Sequence, residues 1–267
     1  MRRTKRQLLG QHFLKNPRVL DRIAAAVAPG ATDLVLEIGP GPGALTERLC
    51  AAAGRVIAIE KDGGLVRRLA ERPLPNLTLV EGDALDLDWA PILESAPAGW
   101  TAKVAGNLPY SISTPLLFKI LDLRAGFAEA VVLIQKEVAE RLAARPGTKA
   151  YAPLSILFQL HFEVRLLLKV APGSFAPPPK VDSALVSLRP RPAPLFAVDD
   201  EPGFRGLLRA AFAQRRKTLF NGLLRYGVSA ETASRAISAL DLPDKVRPEE
   251  LPIEIWVRLF NRVARRS

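Results

Sequence analysis

Cysteine and histidine are scarce in this sequence, which has only Cys50, His12 and His161 among its 267 residues. A single cysteine excludes an internal disulfide and a cysteine-based metal cluster, and it is typical of proteins in a reducing compartment. Two isolated histidines also disfavour a metal site built from imidazoles. We therefore expect a cytoplasmic protein that uses no metal.

Long apolar runs are absent as well. Although 48% of the residues are hydrophobic, no run is long enough to cross a bilayer. The basic residues 1–6 are not followed by the apolar stretch of a signal peptide. We expect neither a membrane span nor secretion, and the length is sufficient for one large domain and one small domain.

Acidic residues are scarce at both ends of the chain, whose net charge is +11. Residues 1–20 contain six basic residues (Lys or Arg) and no acidic residue (Asp or Glu). Residues 21–188 contain 17 basic and 18 acidic residues, and residues 189–267 contain 15 basic and nine acidic residues. The net charges of these regions are therefore +6, −1 and +6. A nearly neutral body with two basic ends predicts a polyanionic partner, with nucleic acid preferred to a membrane surface. A generally arginine-rich proteome is the alternative explanation.

Short apolar runs alternate with helical patterns through the first 188 residues. The predicted strands that alternate with helices are 34–38, 56–60, 77–83, 103–107 and 128–135. This alternation predicts an α/β, Rossmann-like, doubly wound and mostly parallel sheet with helices on both faces. Two further strands, 162–170 and 183–188, have no helix between them, so we expect one to run antiparallel at an edge.

A proline-rich segment, residues 189–194, indicates a linker and a domain boundary. We predict a first domain at 1–188 and a small all-helical domain at 189–267. In the second domain, one apolar helix face is predicted from Leu208, Phe212, Leu219 and Leu223. The helical basic cluster Arg215, Arg216 and Lys217 is a candidate for contacting RNA phosphates, although such charge runs are often only solvated surface.

The first predicted strand leads into Gly39-Pro40-Gly41-Pro42-Gly43, which with Ala44 matches the dinucleotide pattern G-x-G-x-x-G/A. A dinucleotide site presents backbone N–H groups to a pyrophosphate, but Pro40 and Pro42 have none. The loop therefore favours S-adenosylmethionine, which carries no phosphate. A nicotinamide-dependent dehydrogenase remains an alternative.

Two carboxylates follow the next strands. Glu60 ends the second strand and can accept hydrogen bonds from ribose hydroxyls, whereas Asp83 ends the third and can accept one from an adenine NH2. Each could also be an ordinary acid at a strand end. Because the carboxyl ends of parallel strands form the ligand-binding edge of such sheets, these acids and the glycine loop predict a cofactor site there.

The fourth strand ends in Asn107-Leu108-Pro109-Tyr110. Pro109 ends the hydrogen-bond ladder and holds Leu108 extended. The Asn107 amide oxygen and a carbonyl at Leu108 or Pro109 can each accept one N–H of an exocyclic amine, while Tyr110 can stack on the base. The stretch predicts a slot for an unstacked adenine, and the alternative is a plain turn with a half-buried tyrosine.

Six motifs in this order resemble the ribosomal RNA adenine N6-dimethyltransferases, especially those of the bacterial small subunit, and they cover nearly the whole chain. They are Gln11-His12-Phe13-Leu14, Glu37-Ile38-Gly39-Pro40-Gly41-Pro42-Gly43, Gly82-Asp83-Ala84-Leu85, Asn107-Leu108-Pro109-Tyr110, Phe175-Ala176-Pro177-Pro178-Pro179-Lys180-Val181-Asp182-Ser183 and Arg215-Arg216-Lys217-Thr218-Leu219.

The resemblance implies a seven-stranded methyltransferase domain with a basic N-terminal arm and a small RNA-binding helical domain. It implies that methyl groups pass from S-adenosylmethionine to two adjacent adenines near the 3′ end of small-subunit ribosomal RNA. The product would be S-adenosylhomocysteine, without a metal. We expect a monomer that acts on immature small subunits during ribosome assembly.

The implied site residues fall into three groups. The catalytic group is Asn107, Leu108, Pro109, Tyr110 and Phe175. The cofactor group is His12, Leu14, Gly39, Gly41, Glu60, Lys61, Asp83, Ala84 and Asn107. The RNA-binding group is Arg215, Arg216 and Lys217. Phe175 would cover the second face of the base, with core packing as the alternative. His12 stands where the family usually has Asn, which puts its contact with the methionine end of the cofactor in question.

Two further functions remain open. The first is a dimethyltransferase for large-subunit RNA, which the basic helical segment at 215–219 disfavours. The second is an RNA-binding assembly factor without catalysis, which the complete motif Asn107-Leu108-Pro109-Tyr110 disfavours.

Overall fold

The computed structural model describes residues 12–214 and 217–264. It divides into two compact units, one built from the chain up to Ala139 together with Glu163–Pro190, the other from Glu140–Phe162 together with the chain from Arg191. The sequence placed 140–162 in the first domain, whereas here this segment groups with the C-terminal helices. The reason is its hydrogen bonding, because the carbonyls of Leu160 and His161 accept the N–H groups of Leu195 and Arg191.

The first unit contains a seven-stranded sheet in the order β4-β3-β2-β5-β6-β9-β7. Its strands are β2 (Asp33–Ile38), β3 (Arg55–Glu60), β4 (Leu77–Glu81), β5 (Thr101–Asn107), β6 (Glu129–Gln135), β7 (Phe162–Val170) and β9 (Ser183–Pro190). The five strands from β4 to β6 are parallel to their neighbours, and β9 is antiparallel to β6. The predicted fold class is confirmed.

The antiparallel strand β9 lies inside the sheet, between β6 and β7. The expectation that the antiparallel strand would lie at an edge was therefore wrong for β9. Its first six residues are all buried, whereas the middle of β7 is exposed, including Leu166 at 48%. The more deeply buried strand thus occupies the inner position, and β7, with Glu163, Arg165 and Lys169, takes the edge.

Eleven helices are found in the described residues. They are α1 (Pro17–Val27), α2 (Ala44–Cys50), α3 (Gly63–Ala70), α4 (Ala90–Glu94), α5 (Ser113–Asp122), α6 (Lys136–Leu142), α7 (Pro153–His161), α8 (Glu201–Phe212), α9 (Leu219–Tyr226), α10 (Ala230–Ser238) and α11 (Ile253–Ala264). Among these described helices, none is long and apolar enough to cross a membrane.

Helix α1 shows how local sequence sets an element boundary. The Asn16 side chain accepts hydrogen bonds from the N–H groups of Arg18 and Val19, and Pro17 occupies the first helical position. Leu20, Ile23 and Val27 fall on one buried face. The helix therefore forms where its periodicity predicts it and packs in the core against α2 and β6.

A separate two-stranded antiparallel sheet joins β1 (Phe13–Leu14) to β8 (Phe175–Ala176). The pairs are Phe13 with Ala176 and Leu14 with Phe175. The N–H groups of Lys15 and Asn16 also donate to the Ser174 carbonyl. The segment before α1 is thus fixed to a segment that is distant in the sequence.

The second unit is helical around buried aromatic side chains, and α7 was not predicted. Seven of the nine residues of α7 are buried, so no polar face marks it as a helix. The apolar face predicted from residue 208 to 223 is divided between α8 and α9, and Lys217 lies between them rather than on a helix. Arg215 and Arg216 lie outside the described residues. Gly222 allows α9 to approach α8 closely, because a Cβ there would lie 2.7 Å from the Ala211 Cα.

Candidate active site

A cavity opens at the carboxyl ends of β2, β3, β4 and β5, where the sequence predicted the ligand site. Most of the predicted site residues line it. They are His12, Gly39, Gly41, Glu60, Lys61, Asp83, Ala84, Asn107, Leu108, Pro109 and Tyr110. The carboxyl ends of four neighbouring strands thus bring the glycine loop, both strand-end acids and the Asn107 turn together.

The N–H groups of the glycine loop are already used within the protein. Gly39 donates to the Ile59 carbonyl, Gly41 to the Glu60 carboxylate and Gly43 to the Pro40 carbonyl. Together with the two prolines, this leaves residues 39–43 without a backbone donor for a pyrophosphate. The loop geometry therefore disfavours a dinucleotide.

Gly41 also lets the loop approach β1 closely. Its φ of +57° lies in the left-handed region, and a Cβ at this position would lie 2.9 Å from the Phe13 ring. A side chain here would displace the loop from Phe13, so the cavity wall depends on this glycine.

Glu60 is buried, with 6% of its surface exposed, and both of its oxygens accept hydrogen bonds. Oε2 accepts from Gly41 N at 3.1 Å, and Oε1 accepts from Asp62 N at 2.9 Å. Burial raises the pKa of this carboxyl, and these hydrogen bonds oppose that rise. Each carboxylate oxygen has capacity for a second donor, such as a ribose hydroxyl.

Asp83 is held by neighbours on both oxygens. Its Oδ2 lies 2.6 Å from Lys61 Nζ, and its Oδ1 accepts from Leu85 N at 2.9 Å. The Lys61 hydrogen bond is the main cause that lowers the pKa of Asp83. Because Lys61 is mostly exposed, this ion pair contributes little to stability and can open for a ligand.

Asn107 carries a buried oxygen that lacks a partner. Its Nδ2 donates to the His12 carbonyl at 2.9 Å, which fixes the orientation of the amide, whereas its Oδ1 is buried without a hydrogen bond. Leaving a buried acceptor unpaired costs about 1–3 kcal/mol. The arrangement holds an acceptor ready for a donor at the cavity wall.

Two contacts fix the Tyr110 side chain. Its hydroxyl is hydrogen-bonded to the Ser183 hydroxyl, and its ring lies 5.4 Å from the His12 ring at an interplanar angle of 35°. His12 Nδ1 in turn donates to the Pro177 carbonyl at 2.9 Å. The Tyr110 ring, which we expect to stack on a base, is therefore already fixed by Ser183 at its hydroxyl and by the neighbouring His12 ring.

The backbone of the Asn107 turn is equally defined. Leu108 N donates to the Leu133 carbonyl at 3.0 Å, and the Pro109 carbonyl accepts from Ile112 N at 3.1 Å. Because that second bond uses the Pro109 carbonyl, the Leu108 carbonyl is the better candidate to accept an amine N–H.

Sequence reasoning missed Glu37 as a site residue. It lies in the fully buried strand β2, and its Oε2 is buried without a partner. Burial, opposed by the Thr46 hydroxyl and assisted by the neighbouring Glu60, raises the pKa of this carboxyl to about 8. Glu37 and Asn107 both line a second, small cavity of about 30 Å³ behind Gly39. An acid inside an otherwise apolar strand was the signal that could have found it.

Comparison with known proteins agrees with this geometry. The model of the family described as "Ribosomal RNA adenine dimethylase" matches residues 2–265. The chain belongs to this family. The "Ribosomal RNA small subunit methyltransferase A" of Geobacter metallireducens is 46% identical over 258 residues, which cover 95% of this chain and 94% of that protein. The dimethylase family thus accounts for both the fold and the cavity.

Two solved structures of rRNA-modifying or adenosine-dimethylating enzymes are also similar. A dimethyladenosine transferase from Plasmodium falciparum has a TM-score of 0.77 and 30% identity, covering 95% of this chain and 98% of that one. The 23S rRNA methyltransferase ErmE has a TM-score of 0.69 and 26% identity, covering 94% and 99%. This chain is therefore an rRNA adenine methyltransferase of the same family and fold.

Three residues implied by the family resemblance do not line the main cavity. Phe175 is 1% exposed and packs in the hydrophobic core, where β8 pairs with β1. Leu14 is in the same core and lines the small cavity beside Glu37. Lys217 is exposed in the second unit. Core packing, the alternative considered for Phe175, is the arrangement observed.

Proposed function

We propose that this dimethylase transfers methyl groups from S-adenosylmethionine to the N6 atoms of two adjacent adenines near the 3′ end of small-subunit ribosomal RNA. The observation that carries the proposal is the buried, unpaired Asn107 Oδ1 beside the cavity. The choice of RNA is supported by identity, which is 46% with a small-subunit enzyme and 26% with the 23S enzyme.

The donor set of the cavity fits S-adenosylmethionine. Glu60 can accept from the ribose hydroxyls and Asp83 from the adenine amine, while the glycine loop offers nothing to a phosphate. Glu37 and Asn107 each present an unpaired oxygen where an ammonium group could donate. We therefore assign the methionine end of the cofactor to the neighbourhood of Glu37, and its adenine to Asp83 and Ala84.

When bound, the cofactor supplies a methyl group activated by a sulfonium. The chain must orient the target amine, whose lone pair is delocalised into the adenine ring. Asn107 Oδ1 and the Leu108 carbonyl each accept one N–H, which favours a tetrahedral nitrogen and directs its lone pair towards the methyl group. Tyr110, fixed through Ser183, stacks on the base.

The proton released by the reaction needs no dedicated base. A methylated N6 ammonium is acidic enough to lose its proton to water. His12, whose Nδ1 proton is bound to the Pro177 carbonyl, instead holds the Tyr110 ring and orients Asn107 through its own carbonyl. The chain thus contributes position and polarity rather than proton transfer.

RNA binding is assigned to the basic ends of the sequence and to the cluster Arg215, Arg216 and Lys217. We place the reaction on immature small subunits in the cytoplasm, where the free thiol of Cys50 would remain reduced. We expect the protein to act as a monomer.

Small subunits from a strain lacking this activity provide the test. We expect the protein to form N6,N6-dimethyladenine at two adjacent positions, visible as primer-extension stops and as the dimethylated nucleoside by mass spectrometry. Large subunits and the Asn107→Ala variant serve as controls. Methylation of large-subunit RNA alone would overturn the proposed substrate, and no methylation of either RNA would overturn the activity.

A further inference from the structure

Lys119 is a half-buried lysine in α5 whose ammonium group donates to three backbone carbonyls. Nζ lies 3.1 Å from the Ala84 oxygen and 2.9 Å from the Leu85 oxygen, and it also donates to the Leu87 carbonyl. These acceptors all belong to the segment of residues 83–88, which follows β4 and contains Asp83. One side chain thus organises the turn that forms the adenine end of the cavity.

Other contacts make this turn a compact unit. The buried Trp89 donates from Nε1 to the same Ala84 carbonyl at 2.9 Å, and Lys119 Nζ lies 5.2 Å from the centre of the Trp89 ring. Leu85 N donates to Asp83 Oδ1. The Ala84 carbonyl and the Asp83 carboxylate are therefore fixed relative to each other.

The charge of Lys119 acts on this turn as well. Burial lowers the pKa of Lys119, whereas the nearby Asp88, Asp86 and Asp83 raise it. In return, Lys119 helps to lower the pKa of Asp83, after the larger contributions of Lys61 and Leu85 N. Lys119 is the less exposed of the two lysines, so solvent screens its charge less.

The same helix begins at the target end of the cavity. Helix α5 starts at Ser113, whose hydroxyl donates to the Tyr110 carbonyl, and Leu116 lines the cavity. Six residues after Ser113, Lys119 holds the adenine end. One rigid element thus connects the turn that presents Asn107 with the turn that presents Asp83.

We propose that Lys119 is a positioning residue. It holds Asp83 and Ala84 where they can bind the adenine of the cofactor, and it fixes their position relative to the Asn107 turn. This inference rests on the proposed function, in which Asp83 accepts from the adenine amine. Removal of the ammonium takes this donor from the Leu85 and Leu87 carbonyls and leaves the Ala84 carbonyl with Trp89 alone. The turn then loses the shape that distinguishes an amine from a carbonyl at adenine C6.

The experiment compares binding of S-adenosylhomocysteine and its inosine analogue, which has a carbonyl in place of the amine, by calorimetry. We expect wild type to prefer the adenine compound by about tenfold or more, the equivalent of one buried hydrogen bond. Lys119→Met should reduce this ratio to about twofold or less, whereas Lys119→Arg, which keeps donors, should retain an intermediate ratio.

Lys103→Met is the matched control, because Lys103 is also half-buried, donates to the Ala28 carbonyl and pairs with Asp33 away from the cavity. It should lower stability without changing the ratio. If Lys119→Met does not fold, the comparison is made with Lys119→Arg and Lys119→Gln. If the folded Lys119 variants keep the wild-type ratio, the inference about Lys119 is wrong and the Asp83 assignment is unaffected. A wild-type ratio near one overturns the Asp83 assignment and the inference with it.

Discussion

The Glu60 end and the Asn107 end of the cavity lie on the same sheet edge, but their buried oxygens are in different states. At the Glu60 end, both carboxylate oxygens already accept backbone N–H groups. At the other end, Asn107 Oδ1 and Glu37 Oε2 have no partner. The hydrogen bonds of the first end are formed before any ligand binds. The two unpaired acceptors of the second end destabilise the free protein, and this loss of stability is offset only when a ligand donates hydrogen bonds to them.

Loss of the unpaired acceptor itself should have the largest effect. Asn107→Ala is expected to lower the methylation rate at saturating cofactor and RNA by about 10²–10³, as removal of one preorganised polar contact does in other enzymes. RNA affinity should change little, because phosphate contacts supply most of it. Single-turnover kinetics measure the rate.

Asn107→Asp sharpens this test. The aspartate keeps an oxygen towards the cavity but places a second one against the His12 carbonyl, where Nδ2 now donates. We expect activity between those of wild type and Asn107→Ala. An alanine variant as fast as wild type at saturation would show that Asn107 only shapes the turn.

The second prediction concerns Glu37 and the pH dependence of stability. Its pKa in the folded state, about 8, is above its ordinary value of 4.5, so its contribution to stability is present below that ordinary value and lost as pH rises through 8. Between pH 6 and pH 8 the free energy of unfolding should fall by about 2 kcal/mol. Denaturant titrations of the ligand-free protein measure it.

Glu37→Gln should flatten this dependence because an amide does not titrate. A cationic ligand beside Glu37 favours the ionised carboxylate, so cofactor affinity of the wild type should rise with pH over the same interval. A stability profile identical in wild type and Glu37→Gln contradicts the buried neutral acid.

A substitution of Glu60, whose oxygens already have hydrogen-bond partners, should have a smaller effect. Glu60→Gln retains one oxygen but loses the charge, and we expect the affinity for S-adenosylmethionine to fall by about tenfold, the equivalent of one hydrogen bond to a charged group. Calorimetry measures this affinity, and RNA affinity serves as the internal control. Unchanged cofactor affinity would remove Glu60 from the ribose site.

The smallest effect is expected for the basic cluster of the C-terminal region. Neutralising Arg215, Arg216 and Lys217 together should reduce the slope of log affinity for RNA against log salt by about one to three, depending on how many contact phosphates. Arg67→Gln with Arg68→Gln, on α3 in the nearly neutral region, is the control. A slope equal to that of wild type in the triple variant would remove the cluster from the RNA surface.

Local patterns in the sequence predicted the elements that determine the cavity. Strand ends, a glycine loop and the Asn107 turn are all encoded within a few residues, and parallel strands bring their carboxyl ends to one edge. The placement of Glu60, Asp83 and Asn107 around one cavity followed from that rule.

Pairing between strands that are distant in the sequence could not be predicted from local patterns. The pairing of β1 with β8 buries Phe175 in the core, and nothing near Phe175 in the sequence indicates its partner Leu14. Likewise, the position of β9 between β6 and β7 depends on tertiary pairing, because neither strand's local sequence indicates its neighbour in the sheet. Helix α7 was missed because burial on nearly all sides removes its periodicity.

The hydrogen bond from Asn107 to His12 also bears on when the active site can form while the chain is being synthesised. The carbonyl that orients the amide is made 95 residues before the amide, and the Pro177 carbonyl that holds the His12 ring follows His12 by 165 residues. Because the ribosome produces the chain from its N-terminus, this ring of contacts cannot close until β8 has emerged. A growing chain that ends before residue 183 also lacks the hydroxyl that holds Tyr110, so the active site is completed only after Ser183 has been synthesised.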